Sequence, residues 1–249
     1  MIKRIIGFVI FFIAVSGYIY CQSVDKIIEK VFDARGRGKS IENINTIKIS
    51  GKLIYSRVTG TFVAYNKKPF LNRFEFELMG KRVIQAINLT GGWYINEISD
   101  QYDAISMTKE VFEQTKYQNY YPIHPLFDYK SKGIKLRLIG KDTTQGRLCY
   151  VIREILPDSS KTDMYVDTVS FLQLLQKTIV RMPESKDLLL ETYFKDYRNV
   201  NGLMIPYIME KTNNGVLQTK MIIEKAEVNI PIDDSVFNPP ANKSENKPE

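Results

Sequence analysis

Residues 191–210 read ETYFKDYRNVNGLMIPYIME, two runs rich in apolar and aromatic residues that meet at Asn201-Gly202. Asn-Gly between such runs is a strong hairpin signal, because both residues accept the positive φ of a tight turn. The same stretch holds Asp196, Tyr197, Arg198 and Glu210. It is therefore either the turn of a sheet or a cluster of catalytic groups, and the rest of the chain bears on which.

Outward from this stretch the period-two pattern recurs. Upstream, TIKISGKLIYS alternates Ile47 and Ile49, then Leu53 and Tyr55, and TFVAYNK leads to a turn at Lys67-Lys68-Pro69. NRFEFEL sets Phe74, Phe76 and Leu78 against Arg73, Glu75 and Glu77; RVIQAINL and WYINEI follow. IKLRLIG, RLCYVIREIL, KTDMYVD, KTIVRMP and VLQTKMIIEKAEV read as further strands. Turns are expected at Gly140-Lys141-Asp142, at residues 157–160 and at Asn213-Asn214-Gly215. About ten or eleven short strands with brief connections imply an antiparallel meander, since parallel pairing needs long crossovers.

Only two segments carry a helical pattern. Ser23 to Ala34 places Val24, Ile27, Ile28 and Val31 on one stripe and stops at Arg35-Gly36-Arg37-Gly38. Met107 to Tyr117 is the second. Two helices cannot cover the apolar face of so large a sheet, so the sheet must curl on itself as barrels do. The expected fold is mainly β with some α: an incomplete antiparallel barrel lidded by a few helices. Such a shape leaves an apolar cavity, which suits an acyl chain.

The 249-residue chain is 44% hydrophobic and 25% charged, an ordinary globular balance. Lys3 and Arg4 precede the apolar run IIGFVIFFIA, the plan of a secretory leader and too short for a comfortable membrane span. Residues 1–21 are read as a signal peptide, 22–240 as one lipid-binding domain and the polar 241–249 as a tail. A retained anchor is the alternative for the leader. Cleavage fits the small residues Ala14-Val15-Ser16 or a cut after Cys21; acylation of Cys21, which would make an outer-membrane lipoprotein, is disfavoured by the bulky Tyr20 before it. Without the leader only Cys149 remains, so no intramolecular disulfide can form. The net charge of +7, partly carried by the leader, is a weak basis for a polyanion partner.

Catalytic signatures are sparse. His124, the one histidine, lies between Pro122 and Pro125 with no nucleophile-elbow motif elsewhere. One histidine and few cysteines without ligand spacing argue against a zinc site, and no glycine-rich phosphate loop occurs. The carboxylate pairs Asp163 with Asp167 and Asp233 with Asp234 read as strand-end and turn residues rather than a glycosidase couple. Aromatic and basic residues interleave too sporadically for a nucleic-acid surface. The expectation is no enzyme, no cofactor and no metal.

Six segments in order, NTIKISGKLI, AYNKKPFLNRFEFEL, VIQAINLTGGWYIN, YVDTVSFLQLLQKT, FKDYRNVNGLMIPYIME and VNIPIDDSVFNPP, resemble periplasmic lipoprotein-sorting proteins of the LolA/LolB type. The resemblance spans nearly the whole chain after the leader. It implies a half-open barrel that holds acyl chains in its interior without covalent chemistry, in transient contact with membranes and with envelope transport proteins as partners. By this resemblance DYRNVNGLMIPY is a strand-turn-strand element, with Pro206 at an edge or bulge position. Lys68 in NKKPF takes the position of the family's lid-latching arginine, and a lysine lacks the planar fork that such a latch uses. Leu89-Thr90-Gly91-Gly92 departs from the Asp-Gly that precedes the tryptophan in the family, and NEISD lacks its following proline.

Alternation, independently of the family, nominates cavity residues: Phe74, Phe76 and Leu78 on one strand, Val83, Ile87 and Leu89 on the next, Trp93 and Ile95 on a third. Each could equally be plain core. The sequence reading is thus a monomeric periplasmic carrier or receptor for acylated lipoproteins or lipids, with an envelope sensor or adaptor on the same fold as the alternative.

Overall fold

The computed structural model describes residues 23–36, 43–118, 126, 129–157, 159–180 and 187–240. The leader, Cys21, His124 and the tail beyond 240 lie outside the described residues.

The described residues form one antiparallel sheet of thirteen strands. The first meander comprises β1 (Thr46–Tyr55), β2 (Val58–Lys67), β3 (Leu71–Leu78), β4 (Lys81–Ile87), β5 (Gly92–Asn96) and β6 (Gln101–Ser106). The second comprises β7 (Lys135–Thr144), β8 (Arg147–Ile155), β9 (Lys161–Asp167), β10 (Gln173–Val180), β11 (Leu188–Val200), β12 (Leu203–Asn213) and β13 (Val216–Val228). Pairing of β1 with β13 joins the two meanders, so β6 and β7 are the free edges and the sheet stays unclosed. Two helices accompany it, α1 (Val24–Arg35) and α2 (Lys109–Gln118).

The strand count exceeds the expected ten or eleven. QYDAIS, the unexpected β6, is short and only weakly alternating; it is a strand because it pairs with β5. The turn expected at Gly140 is also corrected. β7 runs through it to Thr144, and Gly140, with φ +155°, sits where the β7–β8 register shifts. A glycine inside a strand pattern marked a bulge here, not a reversal.

The stretch at 191–210 is the β11–β12 hairpin. Asn201 and Gly202 both have positive φ, 51° and 86°, as a tight two-residue turn requires. Asp196, at φ 53°, interrupts the pairing locally without changing the register: Lys195 lies opposite Ile208 and Tyr197 opposite Pro206. Pro206 lies beyond the β12–β13 ladder, whose paired residues begin at Ile208, so its missing N–H breaks no bond to β13. The polar residues all have structural partners. Arg198 holds Asp196 at 2.7 Å, the Tyr197 hydroxyl donates to the Gln173 carbonyl at 2.8 Å, and Glu210 bridges Lys195 and Lys220 at 2.5 and 2.9 Å. The stretch is a strand-turn-strand hairpin held by these contacts.

α1 begins at Ser23, whose hydroxyl accepts from the Lys26 amide at 3.4 Å, and ends at Gly36 with φ 107°. Its stripe of Ile27, Ile28, Val31 and Phe32 packs on Tyr150 and Ile152 of β8 and on Met164 and Val166 of β9. Gly36 approaches the hairpin turn so closely that an added Cβ would lie 2.0 Å from the Gly202 carbonyl oxygen. The helix end and the 201–202 turn are therefore fitted to each other through two glycines.

Candidate functional site

The register sorts every strand residue onto one of two faces. Directly paired residues share a face, and so do residues two apart. Phe74 lies beside Ala64 and Phe76 beside Phe62, and across β1 and β13 this face continues through Ile49, Leu53, Met221 and Ala226 to Met209 of β12. Lys211, two residues on, leads through Thr192 and Gln176 to Met164, which packs against α1. This is the inner, helix-bearing wall.

The outer face is different in kind. It carries the ion pairs Arg153–Asp163, Lys177–Glu191 and Lys195–Glu210–Lys220. The segment after β13 crosses this face, packing Ile232 and Phe237 on Leu71. Lys67 fixes it by donating to the Ile232 carbonyl and pairing with Asp234, both at 2.7 Å.

On the inner wall one apolar cluster joins β1, β2, β3, β12 and β13. Its members fall into two groups. Ile47, Ile49, Leu203 and Ile205 are fully enclosed, whereas Phe74, Phe76, Met209 and Met221 remain partly open to solvent. Phe74 is central to an aromatic run, 5.9 Å from Phe62 and 6.0 Å from Phe76 between ring centroids. Partly exposed phenylalanine and thioether side chains, gathered on one face, form an adaptable apolar surface.

The nominated residues divide accordingly. Phe74, Phe76 and Leu78 share the inner wall, and Val83 joins them beside Phe76. Ile87 also points inward but is 1% exposed. Leu89 does not belong: β4 ends at Ile87, and Leu89 stands 59% exposed in a loop that Asn88 closes by accepting from the Thr90 and Gly91 amides. Trp93 and Ile95 lie on the outer face, paired with Ala86 and Ile84. The Trp93 indole donates to the Phe237 carbonyl at 2.8 Å and so anchors the C-terminal segment. RVIQAI is apolar on both faces, and the loop before Trp93 resets which face comes next. Lys68 sits in the β2–β3 turn, its amide donating to the Asn45 carbonyl at 2.9 Å. Phe62, Phe194, Met209 and Met221 were not nominated, though the alternation of TFVAYNK pointed to Phe62.

Among the described residues no group of three or more His, Cys, Asp or Glu could hold a metal, and no helix is long and apolar enough to cross a membrane. Cys149 is fully buried on β8, and burial pushes its thiol up to about 11, far from a reactive thiolate.

This unclosed, helix-bearing sheet recurs in solved structures. A DUF1329 family protein from Desulfovibrio piger superposes with TM-score 0.56 at 12% identity, covering 85% of this chain and 97% of that one. An outer membrane lipoprotein-sorting protein domain from Vibrio parahaemolyticus gives 0.53 at 12%, with 86% and 95% covered. A LolA superfamily protein from Nitrosomonas europaea gives 0.53 at 11%, with 84% and 96% covered. The chain has the LolA-type fold. A family model described as an uncharacterized protein matches residues 128–241, which span β7 to β13 of that fold and the C-terminal segment. A search of curated proteins by sequence finds no match.

Proposed function

We propose that the chain is a non-enzymatic carrier or receptor that holds an acyl chain of a lipid or lipoprotein against its inner wall. The observation that carries this reading is the partly exposed apolar surface of Phe74, Phe76, Met209 and Met221, on the helix-bearing side of an unclosed sheet. A contiguous exposed apolar patch of this kind marks a ligand-binding or interaction face. The lipoprotein-sorting neighbours support the choice of an acyl ligand. The leader-like residues 1–21 support a periplasmic setting, with 22–240 as the carrier domain.

The test is direct. Protein purified from cell envelopes is analysed by native mass spectrometry and by solvent extraction. One or two acyl species per chain are expected. Protein that emerges ligand-free, and that takes up no acyl probe in solution, overturns the reading.

A further inference from the structure

Lys211 is out of character with its surroundings. It stands on the inner wall of β12, two residues beyond Met209 and near the rim, since β12 ends at Asn213. Its paired neighbours on that face are Thr192 and Thr219. Beyond Thr192 come Gln176 and, one step along the strands, Thr178, whose hydroxyl meets that of Thr162 at 2.9 Å. A polar patch of one lysine, several threonines and a glutamine thus borders the apolar cluster that includes Met209 and Met221.

The carboxylates near Lys211 in sequence and register are spent elsewhere. Glu210 points to the outer face, where Lys195 and Lys220 hold it. Glu191 is likewise outer, paired with Lys177 and accepting from the Thr212 hydroxyl at 3.1 Å. Glu154 shares the inner face but lies four strands away, is 6% exposed, and is held toward its neutral form up to about pH 7 by burial. Among the described residues Lys211 has no ion pair. Its side chain is exposed at the rim, and the neighbouring wall lowers its pKa by desolvation.

We propose that the acyl ligand is an anionic amphiphile, its tail along Phe76, Met221 and Met209 and its carboxylate or phosphate headgroup at the rim on Lys211. This rests on the acyl-binding reading above and narrows it: an acidic lipid fits the wall better than an acyl group with a neutral head. A cation beside an apolar wall gains more from an incoming anion than one surrounded by water on all sides, because screening there is weaker. The threonine hydroxyls on either side can donate to the remaining headgroup oxygens.

The test compares myristate with the neutral 14-carbon monoglyceride, by calorimetry on the full chain at low and moderate salt. Wild type is expected to bind myristate about tenfold more tightly, the scale of one partly buried ion pair. Lys211→Met should abolish the preference for myristate, and Lys211→Arg should keep it. Inorganic phosphate and acetate alone should bind no more than weakly, which shows that the tail is needed. Equal binding of both amphiphiles by wild type, or a preference that survives Lys211→Met, overturns the headgroup assignment and leaves the acyl reading standing. Binding of neither amphiphile overturns both.

Discussion

Glu154 shows how a single residue ties the inner wall to solution conditions. It faces the helix-bearing side of β8 beside Thr162, and burial raises its carboxyl from 4.5 to about 7, with Lys132 opposing weakly. A carboxyl whose pKa is raised on folding binds its proton more tightly in the folded state. Its contribution is therefore complete below about pH 4.5 and is lost as pH rises toward 7. Glu154→Gln should flatten stability over that window. At pH 8 it should raise stability by up to about 3 kcal/mol, from roughly 1.4 kcal/mol for each pKa unit. Urea titrations at pH 5 and pH 8 check this; an unchanged pH slope in the variant would show that Glu154 does not titrate as described. This residue was not legible in RLCYVIREIL, because its burial is set by tertiary packing that the strand pattern does not carry. Trp93 taught the converse. Its apolar character was plain, but the face it occupies depends on the loop closed by Asn88 and on pairing with Ala86.

Among the elements, those governed by local chemistry were readable. Ser23 and Gly36 delimit α1, and Asn201-Gly202 turns the hairpin, because a cap and a positive-φ turn need particular residues in place. What could not be read is that these two features touch. The fit of Gly36 to the Gly202 carbonyl makes a sharp prediction. Gly36→Ala introduces both an unfavourable φ of 107° and a Cβ 2.0 Å from that oxygen. Its cost should exceed about 2 kcal/mol, adding backbone strain to displacement of α1 from the hairpin. Gly80→Ala is the control: its φ is +75°, but nothing lies within 4 Å of the new Cβ, so only the smaller conformational penalty of about 1 kcal/mol applies. Chemical denaturation of the two variants separates the terms. Equal losses would mean that the helix end yields without resistance. β6 and the Gly140 bulge were missed for a related reason, since a short edge strand and an unpaired residue are defined by their partners.

For the molecule as a whole, the decisive step was one of counting. Many alternating strands and only two helices leave an apolar face that must curve, and the unclosed thirteen-stranded sheet has that form. Which side chains line the curve was half legible. Alternation placed Phe74, Phe76, Leu78 and Val83 together within neighbouring strands. It could not carry that face across the β1–β13 junction to Met221, Met209 and Lys211, which lie some 150 residues away in sequence and are joined to it only by register. The inner and outer faces now differ enough to be told apart by chemistry: thioethers and phenylalanines inside, ion pairs and the C-terminal segment outside.

Photo-crosslinking with a long-chain fatty acid that bears a diazirine near its tail, followed by peptide mapping, distinguishes the two faces directly. Adducts are expected on the peptides that hold Phe74 and Phe76 and on those that hold Met209 and Met221. Adducts confined to Ile84, Trp93 or Ile95 on the outer face, or labelling no greater than that of the denatured chain, would contradict an acyl chain held by the inner wall.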